Sequence, residues 1–329
     1  MNPPLNRSSN DQPELANEVS DSQTNLPLRI AHFSDIHLLI PNHRCSLSDY
    51  LSKKGWGRIN LHCLGRAYRF RFALPILQQL RKHMEKMAVN HIVFSGDAGT
   101  IGIPGECEAV ANLLGIGKEN RDNNATLIPG LAVPGNHDRY TWREEKSQEF
   151  EQAFSCWQKG ERIDNHRYPF AQKVGNYWLI AVNSARPNPI PFDARGEIDS
   201  AQFDRLIQLC SQLNDGIRIL VTHYPLRRPN GQLEGYFRRL RHLDQVMRVL
   251  PSLNISLWLH GHIHHSFFLD KHPDLPLITI GSGSVTQEYR WSYHHYLFHD
   301  QHMTMERYHY DPVISDFVLQ ETIPFRLPV

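Results

Sequence analysis

The chain lacks a cationic start followed by an apolar core, and no later apolar run reaches the roughly 20 residues that cross a bilayer. Neither a secretory leader nor a transmembrane anchor is therefore expected. No C-x-x-C occurs, and the five cysteines, at positions 45, 63, 107, 156 and 210, are odd in number and scattered. That spacing argues against a disulfide framework and for a reducing compartment, so the cytoplasm is the expected location. An excess of charge of either sign is also missing: the formal net charge is +1, and the chain as a whole is not built to hold nucleic acid. No internal repeat is visible. Residues 1–27 have too few apolar side chains to offset an ordering cost of about 1–2 kcal/mol per residue, and are expected to form a disordered tail. The remainder, 28–329, is expected to form one domain with a large core, since 40% of the 329 residues are hydrophobic.

What is present is a series of short apolar runs, each ending in polar or Gly-containing residues: RIAHFSDIH, HIVFSGD, LIPGLAVPGNHD, YWLIAVNS, IRILVTHYP, ISLWLHGHIHH and LPLITIGSGSV. Their length and β-branched content predict buried strands. Helical spacing appears between them. Phe72, Ile76, Leu80, Met84 and Met87 share one face, with Pro75 placed where a first turn tolerates it; Phe203, Leu206, Ile207, Cys210 and Leu213 share another behind an Asp199-Ser200 cap. The alternation predicts an α/β fold, and the number of strands favours two sheets packed face to face over one open sheet. In such folds ligands gather beyond the carboxyl ends of the strands.

Those ends carry metal-ligand chemistry. The first run ends in Asp35-Ile36-His37, the second in Gly96-Asp97, the third in Gly135-Asn136-His137-Asp138, the fifth in His223, and the sixth in Gly261-His262-Ile263-His264. Each fragment alone is weak in a chain with 20 histidines. Together they place ligand-type side chains on separate strands that can converge on one crevice. The mixture of imidazole, carboxylate and amide suits Mn, Fe, Zn, Co or Ni better than an all-oxygen magnesium site, with Mn favoured.

In order and content these fragments resemble the motifs of the calcineurin-like metallophosphoesterase superfamily: D-x-H, G-D, G-N-H-[DE], H and G-H-x-H. The resemblance covers roughly residues 28–310. It implies a sandwich of two mixed sheets flanked by helices. It also implies a two-metal phosphohydrolase: Asp35, His37, Asp97 and His264 would hold one divalent ion, and Asp97, Asn136, His223 and His262 the other, Asp97 bridging. Two such ions can share a hydroxide and clamp phosphoryl oxygens for in-line displacement. His137 would then donate a proton to the departing oxygen. Asp138 either orients His137 or caps a helix starting near Thr141.

Other histidines and cysteines are left out of the site. His32, His91, His260 and His265 flank the motifs and fit packed or solvent-facing strand positions. YHHYLFHDQHMTMERYHYD alternates around Asp300-Gln301 and predicts a hairpin on the rim of a sheet. His43-Arg44-Cys45 and His62-Cys63 match no usual zinc spacing.

Substrate choice falls to two basic, aromatic insertions. Residues 41–75 hold Arg44, Lys53, Lys54, Arg58, Arg66, Arg69 and Arg71 against Asp49, interleaved with Trp56, Tyr68, Phe70 and Phe72; residues 226–242 hold Arg227, Arg228, Arg238, Arg239 and Arg241 against Glu234. Both leave ligand-bearing strand ends, so they should meet as a rim over the metals. Such a rim suits a large anion, a phosphate-containing small molecule or nucleotide-linked lipid, and peripheral contact with an anionic membrane surface. Among members of the superfamily the rim fits the UDP-2,3-diacylglucosamine pyrophosphatases of lipid A synthesis, although the best-known of these have Asn-Arg-Asp where this chain has Asn136-His137-Asp138. A 3',5'-cyclic nucleotide phosphodiesterase is the alternative. A nuclease is disfavoured by the neutral balance and by the short segment after the last metal histidine. A protein phosphatase is disfavoured because Ala98-Gly99-Thr100 stands where an Asp-Arg-Gly would be needed. Superfamily members that serve as scaffolds have lost ligands, and here every ligand position is filled.

Overall fold

The computed structural model describes residues 26–40, 52–63, 65–118, 120, 127–271 and 273–327. The tail expected over 1–27 lies outside these except for its last two residues, as do Asp49 and His43-Arg44-Cys45. In chain order the strands are β1 (Leu28–Phe33), β2 (His91–Phe94), β3 (Gly130–Ala132), β4 (Glu161–Arg162), β5 (Phe170–Val174), β6 (Tyr177–Ala181), β7 (Ile217–Val221), β8 (Ile255–His260), β9 (Ser266–Leu269), β10 (Ile278–Ser282), β11 (Ser292–His299), β12 (His302–Asp311) and β13 (Asp316–Arg326). The α-helices are α1 (Lys53–Cys63), α2 (Arg66–Arg69), α3 (Ala73–Lys86), α4 (Glu106–Leu113), α5 (Trp142–Ser147), α6 (Glu149–Ala153), α7 (Ser200–Gln212) and α8 (Leu243–Val249).

The strands form a six-stranded sheet, β13-β12-β11-β1-β2-β3, and a seven-stranded sheet, β4-β5-β6-β7-β8-β10-β9. All seven apolar runs form strands, and they are the parallel ones: β1-β2-β3 in the first sheet and β6-β7-β8-β10 in the second. Strict alternation sets the layers. Leu179 and Ala181 of β6, Ile219 and Val221 of β7, and Leu257 and Leu259 of β8 point between the sheets onto Ile30, Val93 and Leu131. Trp178, Ile180, Leu220 and Trp258 point outward onto α7, through Phe203, Leu206 and Leu209. On the other side Ala31, Phe33, Ile92 and Phe94 meet Ile76, Leu77, Leu80 and Met84 of α3. The result is two mixed sheets face to face with helices on both outer faces, as expected.

Two helices follow their sequence pattern with local differences. Asp199 caps α7 by accepting from the Gln202 N–H at 2.8 Å, but Ile207, expected on the inner face, is 41% exposed. Phe72, expected on the inner face of α3, is its N-cap residue and packs edge-on to Trp291. The hairpin predicted around Asp300-Gln301 is present, with His299 opposite His302 and Asp300 at φ 48°. It is not at the rim. β13, unread because its apolar pattern is weak and half-exposed, pairs along β12 and is itself the edge.

The functional consequence is one shared edge. The carboxyl ends of the seven parallel strands open on it, carrying the segments after Phe33, Phe94, Ala132, Ala181, Val221, His260 and Ser282. Because Leu80 is fully buried between helix and sheet, Leu80→Ala is expected to cost about 2–5 kcal/mol of stability in equilibrium urea unfolding. A cost below about 0.5 kcal/mol, the size of an ordinary surface substitution, would contradict this seating of α3.

Candidate metal centre

The site begins with backbone that is unfavourable for side-chain-bearing residues. Asp35, His37, Asp97, His262 and His264 all lie in the left-handed region, at φ 54°, 49°, 62°, 71° and 61°. Non-glycine residues rarely accept this, and the local cost is held by surrounding contacts. The loops after β1 and β2 run side by side: the N–H groups of Ile36 and His37 both donate to Asp97 O, at 2.8 and 3.1 Å, and Leu38 N–H donates to Ala98 O at 2.9 Å. Glycine precedes several ligands because nothing larger fits. A Cβ on Gly135 would lie 2.5 Å from Asp97 N, and one on Gly261 2.6 Å from Asp35 Oδ2.

The first ligand set converges as implied. Ligand atoms of Asp35, His37, Asp97 and His264 lie within 4.8 Å of one another. His37 Nδ1 donates to Gly99 O at 3.1 Å, and His264 Nδ1 donates to Gln287 Oε1. Each ring therefore turns the lone pair of Nε2 inward, and the two Nε2 atoms face each other at 3.1 Å. Asp35 Oδ2 accepts the His262 N–H at 3.0 Å, while Asp35 Oδ1, buried without a donor, lies 3.2 Å from His264 Nε2. Lone pairs this close repel unless a cation lies among them.

The second set has the same construction. His262 Nε2 donates to Arg238 O at 2.9 Å, so its Nδ1 lone pair faces Asn136 Oδ1 at 3.0 Å, acceptor against acceptor. His223 Nδ1 donates to Ser95 O at 2.7 Å, and its Nε2 lies 3.2 Å from Asn136 Oδ1 and 3.3 Å from Asp97 Oδ2. Asp97 joins the sets: Oδ1 accepts the His137 N–H at 2.7 Å, leaving Oδ2 between His223 Nε2 and His37 Nε2, the latter at 3.6 Å. Burial pushes the His223 pKa down, but the charge and hydrogen bond of Asp97, and then Asp35, push it up further, to about 9. A proton on His223 thus stands where a metal charge would. Burial holds His37 and His262 well below the usual imidazole range, in the neutral form that metals require. The donor set fits two divalent ions, each histidine fixed from behind by a carbonyl oxygen.

Asp138 differs from both roles expected for it. Asp138 neither orients His137 nor caps the next helix. Its Oδ2 accepts from Asp97 N–H and Gly135 N–H, both at 2.8 Å, and its Oδ1 from Ala98 N–H and Gly99 N–H at 2.9 and 3.2 Å. Four backbone donors leave it no oxygen for the imidazole, and they tie the second ligand loop to the third. The helix is capped by Thr141 in a capping box with Glu144. The His137 ring donates from Nδ1 to Thr100 O, and its Nε2 accepts from Arg66 Nη2 at 2.8 Å. The outward nitrogen of His137 is thus occupied by an Arg66 donor. His32, His91 and His260 are buried and His265 is exposed, as packed or solvent-facing residues should be.

Above the ligands lies a cavity of about 620 Å³. Both basic insertions contribute walls, Lys53, Asn60, Arg66, Arg69 and Phe70 from one and Arg238 from the other. The sequence reading missed the rest: Pro191, Phe192 and Ala194 after β6, Gln287 and Arg290 after β10, and Tyr140. Their signal was position, since β6 and β10 end on the same edge, but their side chains are not ligand types. Glu106 was missed too. Buried and pushed up to about 7 by burial, it accepts from Thr100 and Ile103 N–H at 3.0 Å, holding the loop whose carbonyls orient His37 and His137.

Two outcomes follow. Asp138→Ala, which changes no ligand, should weaken retention of added Mn by about 10–100-fold in a dialysis competition with a chelator; retention equal to wild type would contradict the loop-tying role. For pH the sign is set by His223. Its pKa in the folded protein is raised, so without metal its proton stabilises the fold fully below about 6.5, and that contribution is lost as pH rises through about 9. Metal must displace the proton. Apparent Mn affinity should therefore rise with pH up to about 9 and then level, with proton release on loading at neutral pH; calorimetry in buffers of different ionisation heat would detect zero release if this is wrong.

Residues 28–266 match the calcineurin-like phosphoesterase family. A search of curated proteins found no match to the chain. Solved structures share its fold at low identity. A dimetal phosphatase from Danio rerio aligns with a TM-score of 0.60 and 12% identity over 92% of this chain and 100% of the other. Purple acid phosphatase PPD1 from yellow lupin (Lupinus luteus) aligns at 0.56 and 10% over 91% of this chain and 53% of the other. GAP50, the anchor in the inner membrane complex of Plasmodium, aligns at 0.51 and 13% over 92% and 90%. With the family spanning most of the chain and the ligand set converging in the fold, the protein belongs to the calcineurin-like phosphoesterases and is a metal-dependent phosphoester hydrolase with a binuclear metal centre.

Proposed function

We propose that the substrate is a pyrophosphate-linked, lipid-bearing nucleotide, UDP-2,3-diacylglucosamine fitting best, cleaved with two divalent ions, Mn favoured, by an enzyme that works in the cytoplasm and touches an anionic membrane surface peripherally. The observation that carries this is the charge of the cavity. Among the described residues, Lys53, Arg66, Arg69, Arg238 and Arg290 line it, against one lining carboxylate, Asp97. One phosphodiester charge needs far less, which disfavours a cyclic nucleotide; two adjacent phosphates match it better.

Apolar side chains beside the cations support the lipid part. Trp56, Ile59, Tyr68, Phe192, Tyr236 and Phe237 are each 43–67% exposed on the insertions and on the segment after β6. Phe192 and Phe237 meet edge to face at 5.1 Å, beside the cavity wall formed by Phe192 and Arg238. Aromatic and basic side chains together are what an interfacial segment needs. Bound metals would supply an activated water and neutralise phosphoryl oxygens. The chain's own residues do the rest: Asp35, His37, Asn136, His223, His262 and His264 hold the ions, Asp97 joins them, and the cationic wall orients the anion.

The test is phosphorus NMR of Mn-loaded protein with UDP-2,3-diacylglucosamine and, separately, cyclic AMP, with Asp97→Asn as the blank. UMP plus a lipid phosphate, abolished in Asp97→Asn, is the expected result. Selective opening of the cyclic ester would replace this reading with the phosphodiesterase one, and full activity in Asp97→Asn would contradict a shared bridging ligand.

A further inference from the structure

Arg66 has an unusual place. It belongs to α2, a single short turn in the first insertion, yet its guanidinium reaches down into the cavity that Asp97, Asn136, His137 and His264 also line. Among the described residues its side chain has one hydrogen-bond partner: Nη2 donates to His137 Nε2 at 2.8 Å. A guanidinium has five N–H donors in a fixed fork. One is used here, and the carboxylates whose charge it feels, Asp97 and Asp35, are ligands of the metal centre.

His137 is built as a post for it. The backbone N–H of His137 is fixed to Asp97 Oδ1 at 2.7 Å and its Nδ1–H to Thr100 O. Its ring stacks on Tyr140 at 5.6 Å between centroids and meets His37 edge-on at 4.8 Å. The ring therefore cannot turn, and its one free lone pair points at Arg66. Arg66 Nη2 thus occupies the outward nitrogen of the ring, while Arg66 itself lines the cavity with guanidinium donors that His137 does not use.

We infer that His137 is a positioning residue that holds Arg66 over the metal centre, and that Arg66 is the group contacting the phosphoryl oxygens which the metals leave free. The inference rests on the phosphoesterase reading and goes further, assigning the anion contact to an insertion residue outside the ligand motifs. The planar fork can grip two oxygens of one phosphoryl group at once, and as charge shifts onto those oxygens in the transition state the contact strengthens.

The test uses the full chain loaded with Mn and two esters of uridine 5'-monophosphate, the p-nitrophenyl ester with a good leaving group and the phenyl ester with a poor one. Arg66→Ala should lower kcat/KM by about 10²–10³-fold, as loss of an oxyanion contact does. His137→Ala should lose nearly as much, the double variant should be no worse than either, and the loss should be the same for both esters. His137→Gln, whose side-chain carbonyl can still accept from Arg66, should recover most of the loss, and free guanidinium should partly rescue Arg66→Ala. Independently of turnover, the affinity of the metal-loaded protein for inorganic phosphate, by calorimetry, should fall about tenfold or more in both Ala variants, the equivalent of one charge-assisted bond. The inference is overturned if phosphate affinity is unchanged in Arg66→Ala. It is equally overturned if His137→Ala hurts the phenyl ester more than the p-nitrophenyl ester while His137→Gln does no better, because that pattern marks a proton donor. Metal-loaded wild type that cleaves neither these esters nor a nucleotide-linked lipid would instead count against the phosphoesterase reading, and the phosphate-binding arm would still decide the role of Arg66.

Discussion

The structure depends on holding electron-rich atoms closer together than they would stay by themselves. Two imidazole Nε2 atoms face each other at 3.1 Å, and an amide oxygen faces the lone pair of another ring at 3.0 Å. Lone pairs in contact repel, and in a buried site little water is present to screen them. Such an arrangement persists because each ligand is fixed from behind. Every ligand histidine gives its other ring N–H to a carbonyl oxygen, from Gly99, Gln287, Arg238 or Ser95. Backbone at positive φ, held by packed parallel strands, aims the side chains inward. The sandwich works as a rigid frame on which this cost is distributed, and divalent cations are what turn repulsion into binding.

Around that centre lies a second layer with a different task. Asp138 gathers four backbone N–H groups from the second and third ligand loops, and Glu106 gathers the next stretch of the same loop. Neither needs to touch a metal to set its geometry. The insertions then add positive charge where the ligand shell ends. Lys54 anchors the first insertion by a buried ion pair with Glu144 at 2.8 Å and a part-buried hydrogen bond to Gly102 O at 2.6 Å, so α1 is tied to α5 and to the segment that follows the second ligand loop. Placed on that anchored segment, Arg66 and Arg69 face the centre from a defined direction.

Much of this was legible in the sequence because ligand chemistry restricts residue type. Aspartate, asparagine and histidine at the ends of apolar runs identify themselves, and the seven parallel strands are largely apolar because both faces are covered. The hydrogen-bond partners of Asp138 and His137 were not legible, since they depend on where neighbouring loops fold: Asp138 lies 41 residues from Asp97, and His137 71 residues from Arg66. Gln287 and Phe192 follow strands that were correctly read, but glutamine and phenylalanine in such positions have many uses, and only proximity gives them one. β13 went unread for a related reason. Its stability comes from pairing along β12 rather than from an apolar pattern of its own.

The central claim is that these residues form two cation sites sharing Asp97. The most direct measurement is anomalous diffraction from crystals grown with Mn. The account predicts two anomalous peaks, one among Asp35, His37, Asp97 and His264 and the other among Asp97, Asn136, His223 and His262, with an Asp97 carboxylate oxygen in contact with both. A single peak, or two peaks with Asp97 bound to only one, would contradict it.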